Sequence, residues 1–449
     1  ASHRSTRYAD GWPRRTGCRS PKCTAGSKPR PAPGWHPAEN DSATDVTPVR
    51  EPSAKRRPRG AGGIGICMIA SSYPRFPGDF AGAFVASLAG ALVRKGHRVT
   101  VVAPWHPAVR PEFAEDGVVV RRFRYSPLPR LHPMGYGEGL IDDRRLHPAA
   151  YPLALPYLIA GSLATLRAAR ATDADVLHAH WVVPNAPLGL TTARFRHTPL
   201  VITLHGSDAH LARAHPLLGW VAAQCLRRAV AVTACSADLL ETGLTLASEA
   251  VPAHLIPGGA DPVRFGSGDP DRWRNRLGIP VGTPVIAAAG RLVAKKGFEV
   301  LLEAFVRLPG QAGPAPALVI GGDGPQRELL TRRALEAGIG DRVRFAGRVP
   351  WDEMPHFLAM ADVAVVPSVR DPSGNVDGLP TVLLEAMAAG KAVIASRIAG
   401  IPLAIDDGAH GLLTPPGVAA ALTGALSQVL EDAGLRQRLG RAAQDRVRA

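Results

Sequence analysis

From Ile64 onward, short apolar runs alternate with longer stretches in which apolar residues recur every three or four positions. Ile64–Ala70 (IGICMIA) is an unbroken apolar run of strand length. After the loop SSYPRFPGDF, the segment Gly82–Arg94 spaces Phe84, Leu88, Leu92 and Val93 three to four apart, which predicts a helix ended by Gly96. His97–Val102 is the next strand, and strand, helix, strand at this spacing predicts a βαβ unit in a parallel sheet. Further strands are expected at Val118–Phe123, Val176–Ala179, Leu200–Leu204, Val230–Ala234 and Ala253–Ile256. Then PGGADPVRFGSGDPDRWRNRLGIP, dense in Gly, Pro and charge, reads as an inter-domain linker with a short helix. A second alternation follows, with strands expected at Val285–Ala289, Ala317–Ile320, Val343–Ala346, Val363–Val366 and Ala392–Ala395. The pattern predicts an α/β chain with two tandem, doubly wound, Rossmann-like domains, residues 62–257 and 258–449, the linker opening the second. Ligands in such folds sit at the carboxyl ends of the strands, so the expected site is a cleft between the two domains.

Residues 1–61 lack this patterning and are expected to form a disordered basic tail. Residues 1–60 hold 13 Lys and Arg against 5 Asp and Glu, so the tail carries +8 of the formal +15 and all other residues share +7. A charge of +15 by itself suggests nucleic acid or an anionic membrane. Its concentration in a solvated tail, outside every motif with recognisable chemistry, argues against a nucleic-acid partner. The five cysteines, Cys18, Cys23, Cys67, Cys225 and Cys235, are odd in number and sparse, which fits buried thiols in a reducing compartment. No apolar run of secretory type opens the sequence, so a cytoplasmic location is expected, with peripheral contact at the inner face of the membrane as an open addition. The most apolar stretch, Tyr151–Leu166, is shorter than the roughly 20 residues of a spanning helix and contains Pro152 and Pro156; it predicts a buried helix.

Several motifs look chemical and are not. Gly60-Ala61-Gly62-Gly63-Ile64-Gly65 spells GxGxxG but precedes the first strand, where a dinucleotide fingerprint must follow one. Asp173-Ala174-Asp175 and Asp269-Pro270-Asp271 fall in a turn and in the linker, and read as solvated loop carboxylates. His178 and His180 lack a third ligand at zinc spacing, so no metal is assigned. The informative cluster lies in the second half. Ala289-Gly290-Arg291-Leu292 ends a strand and Lys295-Lys296-Gly297 opens a helix. Arg291 and Lys296 beside a helix N-terminus predict an anion site, Arg forking onto two oxygens and Lys adding a point charge. The loop Gly321-Gly322-Asp323-Gly324-Pro325 suits either close backbone approach to a ligand or a plain tight turn. In DGLPTVLLEAMA, Asp377 sits in a loop and Glu385 on the helix that follows. A carboxylate accepts two hydroxyl donors at once and so suits a vicinal diol, while the loop Gly378, Leu379, Pro380 and Thr381 can present free backbone N–H groups to a pyrophosphate. In the first half, His178-Ala179-His180-Trp181 ends one strand and His205 ends another, in TLHGSDAH. His205 is expected to face the crevice and donate to a substrate or phosphate oxygen. For His178 a ligand role and a structural hydrogen bond stay equally open.

Together these segments resemble the family 4 (group 1) glycosyltransferases, retaining enzymes with the GT-B fold. The resemblance runs from Ile64 to the C-terminus and is carried by GRLVAKKGFEVLLEAF, IGGDGP, FAGRVPWDEMP, ADVAVVPS and DGLPTVLLEAMAAGKAVIAS, with HAHWVVPNA and TLHGSDAH in the first half. It implies transfer of a hexose from a nucleotide-diphosphate sugar to a glycan, a lipid-linked saccharide or a small molecule, with no metal and no cofactor besides the donor substrate. The first domain would take the acceptor and the second the donor. By position, Arg291 and Lys296 match the pair on the donor pyrophosphate, Glu385 the acid on the ribose diol, and Asp377 the acid on the donor sugar. His205 matches the first-domain histidine near sugar and phosphate, and Gly82 the loop that meets the donor phosphates. There are departures: Asp377 replaces a Glu, Leu403 in AGIPL replaces the acid of GGIPE, and Ala449 is reached before an aromatic-rich crossover helix, so looser coupling of the halves is expected. Two alternatives stand beside this. A nucleotide-sugar isomerase on the same architecture would consume donor without acceptor. A tail-mediated nucleic-acid- or anionic-membrane-binding protein would lose function with residues 1–60 and weaken steeply with salt.

Overall fold

The computed structural model describes residues 63–109, 117–136, 140–142, 145, 146, 148, 150–308, 314–372 and 374–448. The tail expected at residues 1–61, with Cys18 and Cys23, lies outside them.

Two parallel sheets carry the chain, one in each lobe. In the first lobe the strands are β1 (Gly65–Ile69), β2 (Arg98–Pro104), β3 (Val119–Phe123), a small antiparallel pair β4 (Leu140–Asp142) and β5 (Arg145–Leu146), then β6 (Val176–His180), β7 (Leu200–Leu204), β8 (Ala231–Ala234) and β9 (Ala253–Leu255). Between them run α1 (Ala83–Arg94), α2 (Ala150–Ala171), α3 (Val182–Arg196), α4 (Ser207–Ala214), α5 (Pro216–Arg228) and α6 (Ala237–Ala247). The connection into the second lobe forms α7 (Pro262–Gly266) and α8 (Pro270–Leu277). The second lobe has strands β10 (Val285–Ala289), β11 (Ala317–Gly321), β12 (Val343–Gly347), β13 (Val363–Val366), β14 (Ala392–Ser396) and β15 (Leu412–Thr414). Its helices are α9 (Phe298–Val306), α10 (Arg327–Glu336), α11 (Met354–Ala359), α12 (Thr381–Ala388), α13 (Ile401–Ala404), α14 (Ala419–Glu431) and α15 (Ala433–Arg448).

Strand order is β3-β2-β1-β6-β7-β8-β9 in one sheet and β12-β11-β10-β13-β14-β15 in the other. Each winds outward from its first strand in both directions, which puts a switch point at β1/β6 and another at β10/β13, where ligand crevices open. Every residue of β1, β10, β13 and β14 is buried, because helices cover both faces; that is why these strands read as unbroken apolar runs.

The predicted α/β architecture is present, and the local departures have physical causes. The Gly- and Pro-rich linker is not a free connection: α7 is capped by Asp261 and α8 by Asp269, and Trp273 is buried in the second core, edge-on to Phe357 at 5.4 Å. Asp269 therefore spends its carboxylate on a helix N-terminus, and Asp175 accepts the Gly65 N–H at 2.7 Å, so both act on the backbone beyond being solvated loop acids. Helix α1 buries Ala83, Val85, Ala86 and Ala89 and leaves Phe84 and Leu88 exposed, reversing the face that apolar spacing suggested. Small residues let the helix lie close on the sheet. Helix α2 is longer than expected, 22 residues, because Pro152 falls in the first turn, where its missing N–H has no partner to lose, and Pro156 removes one bond. Nor is it fully buried. Tyr157, Gly161, Thr165, Ala168 and Ala169 pack inward, while Tyr151, Leu155, Ile159 and Leu163, four apart, are exposed. Among the described residues it is the one helix long and apolar enough to cross a membrane by length and composition.

Two contacts between the lobes, among those of the described residues, flank the cleft. The Trp351 N–H donates to the Gly78 carbonyl at 2.9 Å, with the Arg348 guanidinium over the Phe80 ring. On the other side Gly378 meets Cys235 so closely that a Cβ on Gly378 would lie 2.9 Å from the Cys235 Sγ.

Candidate active site

The second-lobe half of the site is built where β10 ends. The chain leaves the strand through Gly290 and Arg291 and winds one tight turn, Ala294–Lys296, before α9. That turn aims two lysines at one carboxylate: the Lys296 Nζ lies 2.6 Å from Asp377 Oδ2 and the Lys295 Nζ 3.3 Å from Oδ1. All three side chains are largely buried. Burial pushes the Asp377 pKa up, but Lys296 and Lys295 outweigh it and hold the group below the usual carboxylate value. Arg291 stays exposed and makes no ion pair among the described residues. The structure thus groups Lys295, Lys296 and Asp377 and leaves Arg291 at the rim. Lys295 was missed in the motif reading, since adjacent lysines look alike until the turn sets their directions.

Gly378, Leu379, Pro380 and Thr381 lead from Asp377 into α12, which has no side-chain cap. Its first N–H groups therefore keep free donor capacity. One turn in, Glu385 is mostly buried, and burial raises its pKa to about 7 against the lowering influence of Arg264 and Lys296. Arg264 reaches this point from α7, stacked over the Trp351 ring with its Nη2 donating to the Trp351 carbonyl at 3.2 Å. Nothing in the linker's composition marks Arg264 as a neighbour of Glu385.

In the first lobe, β6 and β7 bring His178, His180 and His205 together. His180 Nδ1 and His205 Nε2 are hydrogen-bonded at 3.1 Å, and His178 Nε2 is bonded to Thr203 Oγ1 at 2.7 Å. His178 therefore has a structural partner. Burial pushes His178 down to about 4 and His205 to about 3, so both are neutral near pH 7. Phe84 and Trp181 pack on His205, with ring centroids 4.8 and 4.7 Å away. The Asp208 carboxylate holds the turn by accepting the N–H groups of Val182, His205 and Gly206. Gly82, the N-terminal residue before α1, has φ 73, and a Cβ there would lie 2.2 Å from the Ser72 carbonyl oxygen. Glycine is thus required first by the protein's own loop, which delivers the uncapped start of α1 and Phe84 to His205.

A cavity of about 560 Å³ lies between the lobes, lined by Gly206, His210, Arg213 and Ser236 on one side and by Arg370 and Gly378 on the other. It starts one residue from His205 and ends one residue from Asp377. The motifs of the two halves therefore border one interlobe space.

Comparison with known proteins agrees with this architecture. Residues 81–264 match the family model for glycosyltransferase family 4, and residues 269–446 the model for group 1 glycosyl transferases. The chain is 30% identical over 371 residues to a 2-deoxystreptamine glucosyltransferase of Streptomyces kanamyceticus, covering 78% of this chain and 89% of that one. It is 30% identical over 397 residues to a glycogen synthase of Mycobacterium tuberculosis, covering 85% and 90%. The crystal structure of Anabaena Alr3699/HepE in complex with UDP-glucose superposes with a TM-score of 0.62 at 21% identity, over 86% of this chain and 94% of that one, a likeness of fold. With two Rossmann-like lobes of the GT-B type, a cationic pocket at a strand end and both family models matched in order along it, this chain belongs to the group 1, family 4 glycosyltransferases.

Proposed function

We propose that this chain transfers a hexose from a nucleoside-diphosphate sugar to an acceptor with retention of configuration, and that Lys295, Lys296, Asp377, Glu385 and His205 carry the reaction. The observation behind this is the pair of lysines converging on Asp377 beside the uncapped N-terminus of α12. Two ammonium groups and free helix N–H groups make a site for a diphosphate. As the sugar–phosphate bond breaks, negative charge collects on the departing diphosphate, and donors fixed in a partly dry cleft stabilise it without reorganising. A bound diphosphate competes with Asp377 for the lysines and frees its carboxylate for a donor-sugar hydroxyl. Glu385, ionised, accepts from the ribose diol. Neutral His205 donates to a sugar or phosphate oxygen from the facing lobe. Positive charge for the leaving group comes from these side chains and Arg291, and no metal is assigned. Retention follows the family's pattern, and the UDP-glucose bound to the Anabaena protein makes uridine sugars the first donors to test. The acceptor belongs in the interlobe cavity, where His210, Arg213 and Arg370 face the single acid Asp238, a balance that favours an acceptor carrying negative charge.

The test is a donor screen with and without acceptors, products followed by NMR. Sugar joined to an acceptor with its anomeric configuration kept is the expected result. An isomerised sugar without acceptor would establish an isomerase instead. His205→Ala is expected to lower kcat by about 10²-fold. Because His205 titrates near 3, it should add no inflection to the kcat profile between pH 5 and 8. Among acceptors, phosphorylated or carboxylated sugars are expected to outperform neutral ones, and Arg213→Ala with Arg370→Ala to remove that preference; equal use of both would discard the charge argument.

A further inference from the structure

His180 is buried, 1% exposed, and its ring lies nearly parallel to that of His205, 21° apart. We propose that His180 is a positioning residue: its Nδ1–H holds His205 in the tautomer whose own proton sits on Nδ1, the nitrogen that no protein group engages among the described residues. This deepens the role proposed for His205 and rests on it.

Burial holds both imidazoles neutral, so one proton lies between His180 Nδ1 and His205 Nε2. If His205 were the donor, His180 would carry its remaining proton on Nε2. That nitrogen is buried and has no hydrogen-bond partner among the described residues. An orphaned N–H in the interior is rare, because it loses its hydrogen bond to water and gains none in return. If His180 is the donor, its Nε2 is bare and leaves only a lone pair unmet. His205 then carries its proton on Nδ1, which has no protein partner among the described residues, and the residue is not fully buried. A phosphate or glycosidic oxygen needs a donor, and this tautomer supplies one.

The surroundings keep His180 where the relay needs it. Its carbonyl accepts the Asn185 Nδ2 at 2.6 Å, and Asn185 Oδ1 accepts the Tyr157 hydroxyl at 3.2 Å. Its ring packs on His178, 4.2 Å between centroids, and His178 is pinned through Thr203 to Thr233. The titratable groups beside the pair are His178 and Asp208; the Asp208 carboxylate is taken up by the backbone N–H groups of Val182, His205 and Gly206, and burial still holds both imidazoles neutral.

The tautomer can be read directly in ¹⁵N-histidine-labelled full-length protein by long-range ¹H–¹⁵N correlation, with His180→Asn and His205→Gln for assignment. A protonated Nδ1 and bare Nε2 on His205 is expected; the reverse overturns the proposal. Kinetics give a second, independent reading. Asn places an N–H near the His Nδ1 position, so His180→Asn is expected to keep kcat within about threefold, while His180→Leu lowers it about tenfold or more with donor KM unchanged. Equal losses in Asn and Leu variants of wild-type fold by circular dichroism overturn the relay. If His205→Ala turns over normally, the role of His205 is what fails, and the spectrum still decides whether His180 sets its tautomer.

Discussion

Replacing Lys295 and Lys296 together by alanine is expected to lower kcat/KM for the nucleotide sugar by about 10³-fold or more, and to destabilise the unliganded protein at the same time. Both effects have one origin. The two ammonium groups hold the Asp377 carboxylate now and would hold the diphosphate when the donor binds. With both gone, Asp377 stays buried and loses its partners, the situation that costs about 3–5 kcal/mol when one side of a buried pair is removed. The sign of the pH dependence also changes. In the wild type the Asp377 pKa is depressed, so its stabilisation is present above the unfolded carboxylate value and lost as pH falls through the folded one. In the double variant only burial remains, the folded pKa is raised, and stability falls as pH rises through it. Asp377→Asn added to the double variant should restore the melting temperature without restoring turnover. Thermal melts at two pH values and steady-state kinetics on the same preparations separate the two effects. Turnover returning with Asp377→Asn would show that the lysines serve the fold and leave the diphosphate to other groups.

Glu385→Gln is expected to weaken donor binding about 10²-fold above pH 8 while making the empty protein more stable there. Burial raises the Glu385 pKa from 4.5 to about 7. A shift of that size corresponds to about 3 kcal/mol between protonation states. A group with a raised folded pKa contributes its stability fully below the unfolded value and loses it as pH rises through the folded one. Between pH 4.5 and about 7 the wild type therefore gives up stability that the neutral amide keeps. For the donor the direction is opposite. A ribose diol offers two hydroxyl donors, and only the ionised carboxylate accepts both freely. Donor affinity in the wild type should rise with pH through about 7, whereas the Gln variant stays flat and weak. Calorimetric titration with a uridine nucleotide at pH 6 and pH 8, beside melting curves at the same values, measures both. An affinity that does not change with pH in the wild type would remove Glu385 from the diol. The arrangement is a trade of stability for function: a carboxylate kept in a poorly solvated place, with Arg264 and Lys296 offsetting part of the cost.

The candidate site was legible to the extent that its residues sit in local motifs. Asp377 and Glu385 lie in one loop-and-helix segment, and the lysines follow a strand that reads as apolar throughout. Periodicity could not say which way a side chain points once two answers are both apolar. On α1 the large residues looked like the core face, but the sheet accepted the alanines and Phe84 went to His205. In the same way α2 looked short and buried, and is long with an exposed apolar edge. Arg264 gave no signal, because its neighbour Glu385 is far away in the chain and close only after α7 folds onto the second lobe.

By itself, the sequence determined the alternation of strands and helices, the division into two Rossmann-like lobes, the family and the strand ends where chemistry gathers. Those features depend on hydrophobic period and on short motifs, which are local. Only the tertiary structure decided that both lysines reach Asp377, that Gly378 must be small because Cys235 of the other lobe lies against it, and that His180 and His205, 25 residues apart, share a proton. It also decided how far burial moves Glu385 up and His205 down. A pKa, a close contact and a tautomer depend on which distant groups exclude water from one another, and that is set only when the sheets and lobes pack.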